Sequence, residues 1–151
     1  MGERRQAREL ALQALFFFDM DKSEELISDF DQDPGSNHDQ RLTVFCDNNK
    51  EKLDEGVEPF FLDLVNGVEA NKVRIDTLLN KYSKNWKISR MPVVDRNIMR
   101  IALFELINRS DIPSSVTINE AVEIGKIYGT RDSGSFINGV LDRIKSSEGF
   151  E

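Results

Sequence analysis

The sequence predicts an all-α protein, folded as one compact bundle of about seven helices. Three observations carry this expectation. Apolar residues recur at helical spacing along most of the chain, no run keeps period-two alternation, and Pro, Gly and short polar residues stand where helices start and stop. At 151 residues, with 39% apolar and 31% charged side chains, the chain suits a single domain spanning 1–151. A core of this size buries roughly 68–70% of the unfolded chain's surface, so folding requires neither a disulfide nor a structural metal.

From Glu3 to Met20, the residues Ala7, Leu10, Ala11, Ala14, Leu15 and Phe18 fall on one stripe, which predicts the first helix. Residues 31–40 have the composition of a loop, set between shorter patterns at Ser23–Phe30 and Arg41–Leu53 that fit helices. Pro59 suits the first turn of a long helix, in which Phe61, Leu64, Val65, Val68, Ile75, Leu78, Leu79 and Tyr82 keep their spacing and only Asn71-Lys72 interrupts. Pro92 opens a helix so apolar from Ile98 to Ile107 that it is expected at the centre, surrounded by the others. Asp111-Ile112-Pro113 ends it. Thr117 and Glu120 have capping-box spacing and start a helix running to Tyr128-Gly129. Asp132 or Ser133 caps the last helix, which packs through Ile137, Val140, Leu141 and Ile144.

Charge is distributed unevenly. The 20 basic and 27 acidic side chains give a net −7, but the excess acid lies in the loop-rich segment 19–58, with thirteen acidic against four basic groups. Lys72–Arg109 holds nine basic groups against Asp76, Asp95 and Glu105, so local sign argues for an anionic or acidic partner where the whole chain argues against one. One cysteine, Cys46, and one histidine, His38 in a polar run, are too few for a Cys/His zinc site, and no metal site is expected. No apolar stretch approaches the length of a membrane span and the N-terminus lacks a signal-peptide pattern, which points to the cytoplasm.

Catalytic chemistry is not visible. The chain has no Walker-type phosphate loop, no GxGxxG, no nucleophile elbow and no His-Glu-x-x-His. The acids of 19–58 read as a solvated face, because a shifted acid/base pair needs two carboxyls at fixed distance in a dry pocket. The outer faces of the helices are more informative. Opposite its apolar stripe the first helix presents Arg5, Arg8, Leu12 and Phe16, with Arg4 toward the edge. Guanidinium forks match phosphate oxygens and an exposed ring offers a face to an unstacked base, a combination suited to single-stranded RNA. The bland alternative is that Phe16 packs beneath the acidic segment or another helix. On the central helix Asn97, Arg100, Phe104 and Asn108 line the polar strip, where Phe104 is either a contact residue or buried against a neighbour.

Several blocks resemble the NusB family of bacterial transcription antitermination factors. They are Arg4-Arg5-Gln6-Ala7-Arg8-Glu9 with Gln13-Ala14-Leu15-Phe16, then Asn66-Gly67-Val68, Asn71, Ile75-Asp76, Trp86, Asp95-Arg96 and Arg100 to Leu106. The most specific are Asp111-Ile112-Pro113, Ile118 to Glu123 and Phe136 to Asp142. The resemblance implies an all-helical fold, no catalysis and no cofactor. It implies binding to the boxA element of ribosomal RNA leaders and pairing with NusE, a small-subunit ribosomal protein. With other Nus factors on RNA polymerase, that heterodimer supports read-through of terminators. Carried over by position, the RNA-contact candidates are Arg4, Arg5, Arg8, Phe16, Asp132 and Phe136. Phe16 stands where the family often has tyrosine, and Ser135 where it often has lysine. No residue is matched to NusE beyond the basic stretch Lys72–Arg100 as a candidate.

Two other readings stay open at the level of sequence. One is an adaptor or homodimer that does not bind RNA, with the arginine face buried against a second copy. The other is a NusB-like module serving a ribosomal RNA methyltransferase, which would need a partner polypeptide because this chain has no cofactor-binding domain.

Overall fold

The computed structural model describes residues 2–20, 34–83 and 87–150, without the side chains of 34–37. Among them are seven α-helices: α1 Glu3–Met20, α2 Pro34–Asn48, α3 Glu58–Ala70, α4 Lys72–Tyr82, α5 Val93–Asn108, α6 Ser114–Tyr128 and α7 Ser133–Glu148. A 3-10 turn, Ile88–Arg90, precedes α5. The all-α expectation holds. The helical pattern at Ser23–Phe30, Lys84 and Trp86 lie outside the described residues.

Three boundaries differ from the sequence reading. The segment 34–40, expected as loop, is the first half of α2; proline is pre-set for a first helical turn, so Pro34 can open it. His38 consequently sits on a helix, its ring edge-on to that of Phe18 with the ring centres 5.5 Å apart and its Nε2 3.0 Å from Asn66 Oδ1, bridging α1 and α3. The expected long helix from Pro59 breaks at Asn71, whose φ of −111° and ψ of 13° leave the helical region. Asn71 closes α3 with its own side chain, Nδ2 donating to the Gly67 carbonyl at 2.8 Å. The third helix boundary to move is that of α6, which starts at Ser114 after Pro113, so Thr117 lies one turn inside it and makes no capping box.

Helix α5 is the axis of the bundle, packed by α1, α3, α4, α6 and α7. Its polar strip is buried with the rest: Asp95, Asn97, Arg100, Phe104 and Glu105 are all inside, and of the strip only Asn108 reaches solvent. Of the two readings of Phe104, contact residue or buried residue, the structure bears out burial. Phe104 lies directly over Gly67 of α3, where a Cβ would fall within its ring. The absent side chain at Gly67 is what lets α3 and α5 approach.

Burial of so many polar groups at α5 is possible because each finds a partner. Glu105 accepts two bonds from Arg8 of α1, Nε to Oε2 at 2.9 Å and Nη2 to Oε1 at 2.7 Å, and a third from the Thr117 hydroxyl of α6 at 3.1 Å. Arg100 binds Asp76 of α4 in the same two-pronged way, at 2.8 and 2.9 Å. Arg96 and Asn97 both donate to Asp19 near the end of α1, at 3.0 and 2.9 Å. Burial tends to raise the Asp19 carboxyl, but these hydrogen bonds and the charges of Arg96 and Arg100 outweigh it and hold its pKa below the ordinary value. The pairs Arg8–Glu105 and Arg96–Asp19 make α1 antiparallel to α5.

Two substitutions test this packing. Alanine in place of a helical glycine ordinarily stabilises by roughly 0.5–1 kcal/mol, whereas Gly67→Ala should destabilise by about 1–3 kcal/mol through overlap with Phe104. Phe104→Leu in the same chain should recover part of the loss; denaturant unfolding reads both. Arg8→Ala strands the Glu105 carboxylate in the core and should cost about 3–5 kcal/mol of stability. A change below 1 kcal/mol in the same measurement would show that the pair does not hold α1 to α5.

Candidate functional site

The arginines of α1 have three different environments. Arg8, expected on the outer face, is 4% exposed, and Leu12 is buried one turn on. The outer face of α1 is not free at these positions because α1 packs on both α3 and α5. Arg8 is therefore corrected from a surface arginine to a structural one. Arg5, half-buried, donates through Nε to Glu120 Oε2 of α6. That hydrogen bond, the largest influence on the Arg5 guanidinium, raises its pKa further. Arg4 is exposed, with Nη2 3.7 Å from Asp111 Oδ2 and its guanidinium 5.3 Å from the centre of the Phe60 ring. Asp111 is itself held by Arg109 at 2.9 and 3.0 Å, and the Arg109 bond lowers its carboxyl.

Gly2, Arg4, Arg5, Arg8, Val116 and Glu120 line an open groove of about 270 Å³ between the starts of α1 and α6. Its walls are guanidinium groups on one side and one carboxylate on the other.

The second part of the site lies at the opposite end of α1. Phe16 is 40% exposed, which favours an available ring over a packed one. It lies one turn before Asp19 on the same face, and Asp19 is tied to Arg96 at the start of α5. The preceding residue, Asp95, ties α5 to α7: Ser133 Oγ donates to Asp95 Oδ1 at 2.7 Å and accepts the Thr130 N–H at 2.8 Å. Burial raises the Asp95 carboxyl, and the Ser133 bond offsets part of that. Adjacent residues of α5 thus bring the end of α1 and the start of α7 to one end of the bundle.

At that start, Asp132 occupies the N-cap position of α7 without a capping side-chain bond, and its carboxylate is exposed. Its backbone carbonyl accepts the Phe136 N–H at 3.1 Å and the Ser135 hydroxyl at 3.2 Å, which sets the half-buried Phe136 ring one turn on. Ile127 and Tyr128, 57% and 41% exposed, close α6 at the same end.

Arg5 and Phe16 are eleven positions apart, or about 17 Å along the helix at 1.5 Å per residue. The candidate residues therefore form a strip, with cations at one end of α1 and rings and the Asp132 carboxylate at the other. Such a strip can pair with phosphates and stack on bases. Among the described residues no group of His, Cys, Asp and Glu could hold a metal ion, and no helix is long and apolar enough to cross a membrane. The sequence reading missed Glu120 as the partner of Arg5, 115 positions away, and no local signal announces it. It also treated Tyr128 only as a helix end. In the basic stretch Lys72–Arg100, Arg96 and Arg100 are committed to Asp19 and Asp76, while Arg74, Lys81, Lys87 and Arg90 are exposed.

Comparison with known proteins bears on the fold and the family. A transcription antitermination protein NusB of Desulforapulum autotrophicum is 56% identical over 145 residues, covering 96% of this chain and 92% of that protein. Another from Geotalea uraniireducens is 45% identical over 149 residues, covering 97% and 96%. The solved structure of T. maritima NusB is 38% identical with a TM-score of 0.73, covering 95% of this chain and 90% of that one. A crystal structure of antitermination factors NusB and NusE in complex with dsRNA contains a chain with the same fold, at 23% identity and a TM-score of 0.76, covering 96% and 97%. The sequence pattern of the NusB family itself matches residues 5–146, and with that the chain belongs to the NusB family.

Proposed function

We propose that the protein is a non-enzymatic, cytoplasmic transcription antitermination factor. It binds the single-stranded boxA element of ribosomal RNA leaders along the α1–α7 strip, together with NusE, and joins other Nus factors on RNA polymerase. The observation that carries the reading is 56% identity, over 96% of the chain, to a transcription antitermination protein. The exposed strip supplies the physical means. Arg4 and Arg5 neutralise backbone phosphates, Phe16 and Phe136 stack on bases, and Asp132 accepts hydrogen bonds from base edges. Arg8 acts through Glu105, fixing the helix that carries the others. The exposed Arg74, Lys81, Lys87 and Arg90 form a separate surface for an acidic or protein partner such as NusE.

Titration of a boxA oligonucleotide against the protein at several salt concentrations tests the reading, with scrambled and double-stranded oligonucleotides as comparison. Arg5→Ala should weaken binding and make the slope of log K against log salt shallower by about 0.7. Phe16→Ala should cost roughly 1–3 kcal/mol of binding at a nearly unchanged melting temperature, since the ring is partly in solvent. Wild-type affinity and slope in both variants would place the RNA surface elsewhere.

A separate measurement isolates Asp132. Asparagine retains the shape and one acceptor oxygen but exchanges the other for a donor and removes the charge. Because the aspartate caps nothing with its side chain, Asp132→Asn should leave the melting temperature in place while changing RNA affinity or base preference. Unchanged affinity and preference would remove Asp132 from the contact set.

A further inference from the structure

We infer that Glu120 sets the RNA affinity of this face: its carboxylate holds the Arg5 guanidinium in the free protein, and a backbone phosphate of single-stranded RNA takes its place on binding. The inference rests on the RNA-binding reading above and adds a residue to it that acts through Arg5.

The three arginine–carboxylate pairs of α1 differ in how far they can exchange. In Arg8–Glu105 both oxygens are engaged and the side chains are 5% and 1% exposed, so an incoming phosphate has no access. Arg4 and Asp111 stand 3.7 Å apart with both side chains more than half exposed, a screened contact of little consequence for binding. Asp111 also keeps Arg109 as a partner when Arg4 moves away. Arg5–Glu120 is intermediate, with the side chains 19% and 21% exposed and a direct hydrogen bond between them. It is shielded enough to compete with a phosphate and open enough to be reached from the groove.

The groove supplies the path. Arg4, Arg5 and Glu120 all line its 270 Å³ or so, and apart from its chain neighbours nothing lies within 4 Å of where a side chain at Gly2 would start. Among the described residues Glu120 has no second ion-pair partner. A phosphate that takes Arg5 therefore leaves the Glu120 carboxylate unpaired beside a like charge. Binding must overcome that exchange, and a strand anchored at Phe16 about 17 Å away overcomes it more readily than an unanchored polyanion does.

The test is a double-mutant cycle on RNA affinity. Glu120→Gln keeps the size and an acceptor oxygen but removes the charge that competes for Arg5. We expect it to tighten boxA binding by about two- to fivefold, the worth of a partly exposed ion pair converted at 1.4 kcal/mol per tenfold. In the Arg5→Ala background the same substitution should change affinity by less than about 1.5-fold, because no fork remains to be released. Melting temperatures establish that each variant is folded, and Glu120→Ala should shift affinity in the same direction as Glu120→Gln. Unchanged or weaker binding by folded Glu120→Gln overturns the proposal, as does an equal gain without Arg5. Failure of the wild-type protein to bind the oligonucleotide at all would overturn the RNA-binding reading and this proposal together, which distinguishes the two failures.

Discussion

An arginine from the first helix and a glutamate from the fifth, sealed in the interior, set the geometry on which the candidate site depends. Arg8 and Glu105 meet through two parallel hydrogen bonds, and Thr117 of α6 adds a third to the same carboxylate. Buried ion pairs contribute little net stability when both partners are counted, but they tolerate few alternative geometries. A fork that accepts only one orientation fixes the rotation and axial position of α1 on α5. Arg4, Arg5 and Phe16 take their places from that registration, because a rigid helix carries its exposed side chains with it.

The same logic organises the far end. Asp95 and Arg96 are neighbours in α5, yet one reaches Ser133 of α7 and the other Asp19 of α1. With Asn97 and Arg100 they form a continuous polar seam between α1, α4, α5 and α7, and Arg100 extends it to Asp76. Apolar packing supplies most of the stabilisation in such a bundle and is indifferent to small rotations. The seam supplies direction. It places the Phe16 ring and the start of α7 at one end of the molecule, where a strand lying along α1 can touch both.

Electrostatics here are decided by distance rather than by net charge. A chain with formal charge −7 can present a cationic groove because charges more than about 8–10 Å apart in water are largely screened at physiological ionic strength. What matters at the groove is the carboxylate within hydrogen-bonding reach of each guanidinium. Arg5 has one in Glu120, Arg4 has a looser one in Asp111, and Arg8 has one it never leaves.

Local patterning determined most of the secondary structure. The stripe from Ala7 to Phe18 gave α1 its bounds, the apolar circumference of residues 98–107 put α5 at the centre, and Pro92 and Pro113 stand immediately before α5 and α6. These features depend on contacts within about four residues, so a linear reading can find them. The exposure of Phe16 was legible for the same reason. The fates of Arg5 and Arg8 were not. They lie three positions apart on one helix, with the same chemistry and nearly the same face, and only the tertiary structure seals one in the core and leaves the other paired at the edge of a groove. Their partners, Glu105 and Glu120, lie 97 and 115 residues away. Thr117 looked like a helix cap until α6 packed its hydroxyl onto Glu105, and Pro59 to Tyr82 looked like one helix until the chain broke at Asn71 and α4 packed on α5 and α7. Periodicity fixes which residues form a helix, whereas the partner of a buried charge depends on which helices adjoin, and that is settled only when the chain folds back on itself.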